Sequence, residues 1–277
     1  MCAVLGVTRQ GYNKWLKAQE RPYKHETLLA LIRKILAEDA ENNDNYGVYR
    51  IYLALRNNKG YKGSYSTICR VCRENGITLP KKRNPNSLTE ADKEAQKSEN
   101  LIKQDFSAEK PNEKWISDIT EVPCADGKLY VSPVFDCFDG AIVGLAMDDN
   151  MRKELCIEAF EQACRRQKAY GMIFHSDRGS QYTSGDFRTS LARYGAIQSM
   201  SGTGRCYDNA RMESFFATLK KEKLYRLETK AMPMETVKNI IWRYIESYYN
   251  RRRIYTPNDG YPPLVCRDMY YRNLQAA

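Results

Sequence analysis

"GMIFHSDRGSQYTS", residues 171–184, decides the fold. Gly171 to Phe174 is a short apolar run of the kind that fills a buried strand, and it leads directly into the acid Asp177. Around it the pattern alternates. "KWISDIT" and "KLYVSPVFD" are strands separated by the hairpin signal "ADG", and "FDG" turns the chain into a third strand, "AIVGLAMD". A helix over residues 152–170 turns Leu155, Ile157, Ala159, Phe160 and Ala163 inward. After the fourth strand, "GMIFHSD", come a helix from about Ser184 to Tyr194, a fifth strand "AIQSM", and a helix from Asp208 to about Lys223. Three antiparallel strands followed by alternating helices and strands predict an α/β domain, a mixed sheet covered on both faces. "METVKNIIWRYIESYYN" adds a helix beneath or beside the sheet.

In this layout Asp118 falls inside the first strand, between Ile116 and Ile119, and Asp177 at the end of the fourth. Asp136 and Asp139 bracket the "FDG" turn and are read as turn formers. On the helix "DNARMESFFATLKKE", Met212, Phe215, Phe216 and Leu219 make a buried stripe. Asn209, Glu213 and Lys220 line its edge, so Glu213 is expected half-buried and aimed toward the strand ends. Three converging carboxylates would repel one another and lose hydration, so the cluster implies a bound divalent cation. An all-oxygen ligand set favours magnesium or manganese over zinc.

Charge is distributed unevenly. The 277-residue chain carries a net charge of +10, and residues 1–86 hold 16 of its 44 Lys and Arg against 7 of its 34 Asp and Glu. A basic N-terminal third points to nucleic acid. Residues 1–80 read as helical: Thr8 caps "VTRQGYNKWLKA", and Leu28, Leu31, Ile32, Ile35 and Leu36 share one face of "HETLLALIRKILAEDA". Val48, Ile51, Tyr52 and Leu55 form a stripe that Gly60 and Gly63 break, after which Ser64 or Ser66 caps a second helix bearing Arg70 and Arg73. That pair suits a helix-turn-helix, although ordinary helical hairpins share the pattern. Residues 81–113 read as a polar linker, 114–230 as the α/β core and 231–277 as a C-terminal helix with a basic tail.

In that tail five cations face one acid between Lys238 and Arg253. Arg251, Arg252 and Arg253 are consecutive, with Tyr248, Tyr249 and Tyr255 nearby for stacking on a polyanion. No apolar run is long enough to span a bilayer, and the nine cysteines are irregularly spaced, so a cytoplasmic protein with no membrane partner is expected. Cys69 and Cys72 form a lone C-x-x-C read as helix packing, since the chain has only two histidines, His25 and His175.

"WISDIT", "HSDRGSQYTS" and "CYDNARMESFFATLKKE" resemble the catalytic core of bacterial insertion-sequence transposases of the IS-three family, relatives of retroviral integrases. The 35 residues between Asp177 and Glu213 match that family's Asp, Asp, Glu spacing. "NYGVYRIYLALRNNKGYKGSYSTICRVCRENGI" resembles its helix-turn-helix region and "YIESYYNRRR" its C-terminal segment. The resemblance implies a ribonuclease-H-like fold and a DNA transposase in which Asp118, Asp177 and Glu213 are catalytic and hold two Mg2+, replaceable by Mn2+, about 4 Å apart. Water would first release a 3′-hydroxyl at the element end, and that hydroxyl would then attack a second phosphodiester.

The resemblance further implies that Lys220 reaches the DNA backbone, with Lys221 and Arg205 beside it, and that Asn209 has an orienting role. His175 and Arg178 would support the Asp177 loop or touch substrate. It extends to the second-frame product alone, and so implies a first-frame partner or fusion for recognition of the terminal repeats, and a homo-oligomer on paired DNA ends. A histidine expected soon after the arginines is absent, with Tyr255 close by. Two other readings remain: a nuclease of the same fold that cuts without joining, and a non-catalytic DNA-binding regulator.

Overall fold

The computed structural model describes residues 6–19, 22–77, 100–102, 105–202 and 209–276, with no side-chain detail for 18 and 19. The chain forms two compact units, Met1–Lys81 and Lys82–Ala277. No helix among the described residues is long and apolar enough to cross a membrane.

The first unit is all helical: α1 (Arg9–Gln19), α2 (Glu26–Glu38), α3 (Ala40–Asn43), α4 (Val48–Lys59) and α5 (Tyr65–Glu74). Thr8 Oγ1 accepts from the Gly11 amide at 3.0 Å, as its capping position requires. Ile32 and Ile35 of α2, Ile51, Leu53 and Leu55 of α4, and Ile68, Val71 and Cys72 of α5 make the core. Gly60, at φ 64°, ends α4 in the left-handed region, where a side chain would be strained. Ser64, rather than Ser66, caps α5 by accepting from the Thr67 amide at 3.3 Å. Cys72 is buried and Cys69 half-buried. Tyr12, Trp15 and Leu16 of α1 are exposed.

The second unit is built on a six-stranded mixed sheet. Its strands are β1 (Lys114–Ser117), β2 (Thr120–Cys124), β3 (Gly127–Asp136), β4 (Ile142–Asp148), β5 (Ile173–Ser176) and β6 (Ile197–Met200). β3 runs antiparallel to β4 on one edge and to β1 and β2 on the other, while β1, β5 and β6 are parallel. The helices are α6 (Lys153–Gln167), α7 (Ser180–Thr183), α8 (Gly185–Arg193), α9 (Ala210–Glu222), α10 (Met234–Arg243) and α11 (Pro263–Ala276). This is the mixed sheet expected from the pattern, in the ribonuclease-H-like order that the family resemblance implies.

One correction concerns the first strand. Asp118 does not lie inside it: the strand is broken at Asp118 and Ile119, and β1 and β2 lie end to end along β3. The register against β3 is the same on both sides of the break, which sets Asp118 opposite Pro133. Proline has no N–H for the ladder, and the Pro133 carbonyl faces this edge, accepting from Ser117 Oγ at 2.9 Å. The Ile119 amide turns instead to Asp118 Oδ1, at 2.8 Å.

Trp115 and Phe174 face one side of the sheet and pack with Phe160 of α6 and Phe187 of α8. α6 lies close on β4 because residue 144 is glycine. A Cβ there would stand 2.2 Å from the Ala159 carbonyl. On the other face Phe135 meets Phe215 of α9, which in turn meets Tyr249. Tyr249 belongs to a π-helical turn, Tyr244–Tyr249, that continues α10.

Asp136 and Asp139 do more than form a turn. Both are fully buried, and Arg267 of α11 reaches them with its guanidinium, 2.6 Å from Asp136 Oδ2 and 2.7 Å from Asp139 Oδ2. The Trp115 indole N–H also donates to Asp136 Oδ2, at 3.2 Å. The basic tail therefore includes a helix fastened to the β3–β4 turn by an ion cluster. Arg267→Ala strands two carboxylates in the core and is expected to cost roughly 3–5 kcal/mol, read as a lowered urea midpoint. An unchanged midpoint would show that the cluster holds nothing.

Candidate active site

The parallel pairing of β1 with β5 sets Ile116 beside His175. Two residues further along the chain, one past the end of each strand, stand Asp118 and Asp177, and the charge of Asp177 acts on Asp118, so the two acids are neighbours at the carboxyl ends of β1 and β5. Strand neighbours lie about 4.8 Å apart, and residues two apart share a face. α9 packs beside β1 here, and the charges of its Glu213 and Lys220 reach Asp118. In open α/β sheets this end of the strands is where ligands bind.

Local bonds hold each strand end in place. Ser117 Oγ, donating to Pro133, accepts from the Tyr182 hydroxyl of α7 at 2.9 Å, which pins the residue before Asp118. Asp177 Oδ1 accepts from the Gly179 amide at 3.0 Å. Gly179 approaches the carboxylate so closely that a Cβ would stand 3.2 Å from Oδ1. Arg178 donates from Nε to the Ser201 carbonyl at 2.7 Å, tying the Asp177 loop to the chain beyond β6. His175 is fully buried, with Nδ1 2.8 Å from Ser199 Oγ and Nε2 3.2 Å from Ser201 Oγ. His175 and Arg178 thus act in this structure as supports of the loop.

Electrostatics mark the same spot. Burial, then the neighbouring Asp177 and more weakly Glu213, push the Asp118 carboxyl from 3.8 up to about 7, against the lowering effects of the Ile119 amide and Lys220. Asp177 is also raised, chiefly by burial, with the Gly179 amide opposing. Both acids are half-buried. Two adjacent carboxyls that both resist ionisation make a site waiting for positive charge.

The stripe Met212, Phe215, Phe216 and Leu219 of α9 is buried as expected, but Glu213 is exposed rather than half-buried. It sits at the rim, within electrostatic reach of Asp118. Among the described residues no three acids or other ligand-type side chains converge on one point. The reason lies in the helix: one residue past Met212, Glu213 falls on the solvent side of the apolar stripe. Asn209 is buried, and its Oδ1 has no hydrogen-bond partner among the described residues. Lys220 is half-buried and close enough to affect Asp118, whereas Lys221 is exposed. Arg205 and Asp208 lie outside the described residues.

Arg251 and Arg252 are exposed, as a polyanion groove needs, but Arg253 is not. It is buried in a two-pronged ion pair with Glu222 of α9, at 2.8 Å for both contacts, and the rings of Tyr248 and Tyr249 are buried too, so neither can stack on nucleic acid. Arg70 and Arg73 are exposed on α5. Sequence reasoning missed the Ser117–Tyr182 contact and the serine pair around His175. Ser199 and Ser201, alternating on one strand face, were the available signal for the latter.

Comparisons with known proteins show the family. An integrase core domain matches residues 108–206 and an HTH-like domain residues 24–85. Transposase InsF of insertion sequence IS3A from Escherichia coli is 33% identical over 95% of this chain and 91% of its own. The chain belongs to the IS-three family of insertion-sequence transposases. A 31 kDa protein of insertion element IS600 from Shigella sonnei is 34% identical over 98% of this chain and 99% of its own. Among solved structures, a chain of the simian T-cell lymphotropic virus intasome aligns with a TM-score of 0.49 at 15% identity, over 85% of this chain and 74% of that one.

The pKa shifts give a pH prediction. A carboxyl whose folded pKa lies above its unfolded one binds its proton more tightly when folded, so metal-free stability falls as pH rises from about 4 through about 7. Asp118→Asn removes this loss. It is expected to raise metal-free stability by up to about 4 kcal/mol at pH 8 and to leave it unchanged at pH 4. Parallel urea curves for variant and wild type at both pH values would refute the shift.

Proposed function

We propose that this transposase hydrolyses a phosphodiester at each end of its element and transfers the freed 3′-hydroxyl to target DNA, with Asp118, Asp177 and Glu213 as ligands of two divalent cations. The observation that carries the reading is the lateral pairing of Asp118 and Asp177 at parallel strand ends, where burial and mutual repulsion disfavour two bare charges. The donor set fits a hard cation: carboxylate oxygens, with the amide oxygen of Asn209, unpartnered among the described residues, one helical turn before Glu213. Magnesium, or manganese in its place, would supply Lewis acidity and a water of lowered pKa.

The chain's own residues prepare the ground for that chemistry. Ser117, Tyr182 and Gly179 hold the two acids at fixed spacing. Lys220, whose charge already reaches Asp118, would draw the scissile phosphate toward them. Glu213, at the rim, would complete the ligand set when DNA occupies the site. The relatives' description as transposases supports joining over cutting alone. Exposed Arg70, Arg73, Lys221, Arg251 and Arg252, with Arg205, would meet DNA phosphates. A homo-oligomer on paired ends and a first-frame partner complete the proposed assembly.

Two measurements test this reading. Asp177→Asn should lower cleavage and joining of a labelled element end by about a thousandfold, the several kcal/mol a metal supplies, while DNA affinity holds or rises. Comparable activity in the variant would remove the metal role. Arg70→Ala or Arg73→Ala should weaken DNA binding and reduce the slope of log K against log salt by about 1. An unaltered slope would return α5 to a packing role.

A further inference from the structure

Glu222 and Arg253 play no part in the chemistry described above, yet they form a buried ion pair on α9. Arg253 Nε donates to Glu222 Oε2 and its terminal nitrogen to Glu222 Oε1, both at 2.8 Å, and the Tyr244 hydroxyl donates to the same Oε2 at 2.7 Å. The Arg253 guanidinium also lies over the Tyr249 ring, 5.3 Å from its centroid. Tyr249 in turn packs edge-on against Phe215, two residues from Glu213, at 5.1 Å between centroids.

The C-terminal segment therefore grips α9 twice, by charge at its last residue and by an aromatic ring in its middle. Both grips come from one short stretch, the π-helical turn Tyr244–Tyr249 and Arg253, four residues beyond it. π-Helical turns are costly and recur where a local geometry must be held. Glu222 lies nine residues after Glu213, which places the two on opposite sides of the helix. Holding Glu222 from behind fixes the roll of α9 about its axis, and hence the direction in which Glu213 leaves it.

We propose that Arg253 is a positioning residue: by clamping Glu222 it sets the roll of α9 so that Glu213 faces the Asp118–Asp177 pair. The inference rests on the reading of Glu213 as a metal ligand, but it makes a separate claim about the helix. A buried ion pair can be exchanged for apolar side chains at little cost in stability, so the clamp can be removed while the fold stays. Lysine keeps the charge of Arg253 but lacks its planar fork.

The test uses the full chain with Glu222→Met and Arg253→Met combined, and Arg253→Lys as a second variant. Two quantities are read: Mn2+ affinity, from the electron paramagnetic resonance signal of free Mn2+, and hydrogen exchange of the α9 amides. The double variant should keep its unfolding midpoint, exchange faster in α9 and bind Mn2+ about tenfold more weakly, as loss of an outer support does at metal sites. Arg253→Lys should fall between it and wild type. Unchanged α9 exchange together with unchanged Mn2+ affinity in the folded double variant would overturn the clamp. Faster exchange with Mn2+ affinity unmoved would overturn it as a positioning device. A Glu213→Gln control that binds Mn2+ as wild type does would instead strike down the metal reading of Glu213.

Discussion

Two carboxyl groups side by side at the ends of β1 and β5 are the constraint that the rest of the catalytic unit serves. In water two such acids would ionise and separate. Here the backbone of adjacent parallel strands forbids separation, and burial pushes Asp118 up to about 7. The strain of keeping them together is met by rigid surroundings. Ser117 is held by Pro133 and Tyr182, the Asp177 loop by Arg178 and Ser201, and β5 by a histidine bonded at both ring nitrogens. In the proposed reading, a cation entering this setting would find two of its ligands already in place, which is how preorganised sites convert binding into catalysis.

The surrounding architecture divides the labour between the faces of the sheet. One face carries the aromatic core of Trp115, Phe160, Phe174 and Phe187, which supplies stability and no chemistry. The other carries α9, whose buried stripe docks on β1 and β3 and whose solvent edge presents Glu213 and Lys220 near the acids. The C-terminal segment reinforces both. Arg267 fastens α11 to the β3–β4 turn, and Arg253 fastens the π-helical turn to α9. What reads as a basic tail is in good part internal bracing.

The sequence made the strands and helices legible because each has a clean period, and it made Asp118 and Asp177 legible because each breaks one. The break in the first strand was hidden, since "KWISDIT" alternates without a turn signal and the cause, Pro133, lies on the neighbouring strand. Long-range charge pairing was hidden for the same reason. Arg267 meets an acid 131 residues away and Arg253 one 31 residues away, and nothing in a run of arginines tells which one turns inward. Glu213 was expected deeper than it lies because a helical projection gives the azimuth of a side chain but not the height of the neighbouring surface.

The central claim is that Asp118 and Asp177 share a divalent cation. The most direct measurement is a crystal of the wild-type transposase soaked in Mn2+, with the anomalous difference map read at the ends of β1 and β5. The account predicts a peak within coordinating distance, about 2.2 Å, of oxygens from both carboxylates. A peak bound to neither acid, or a map empty between them at a concentration that fills other Mn2+ sites, would contradict it.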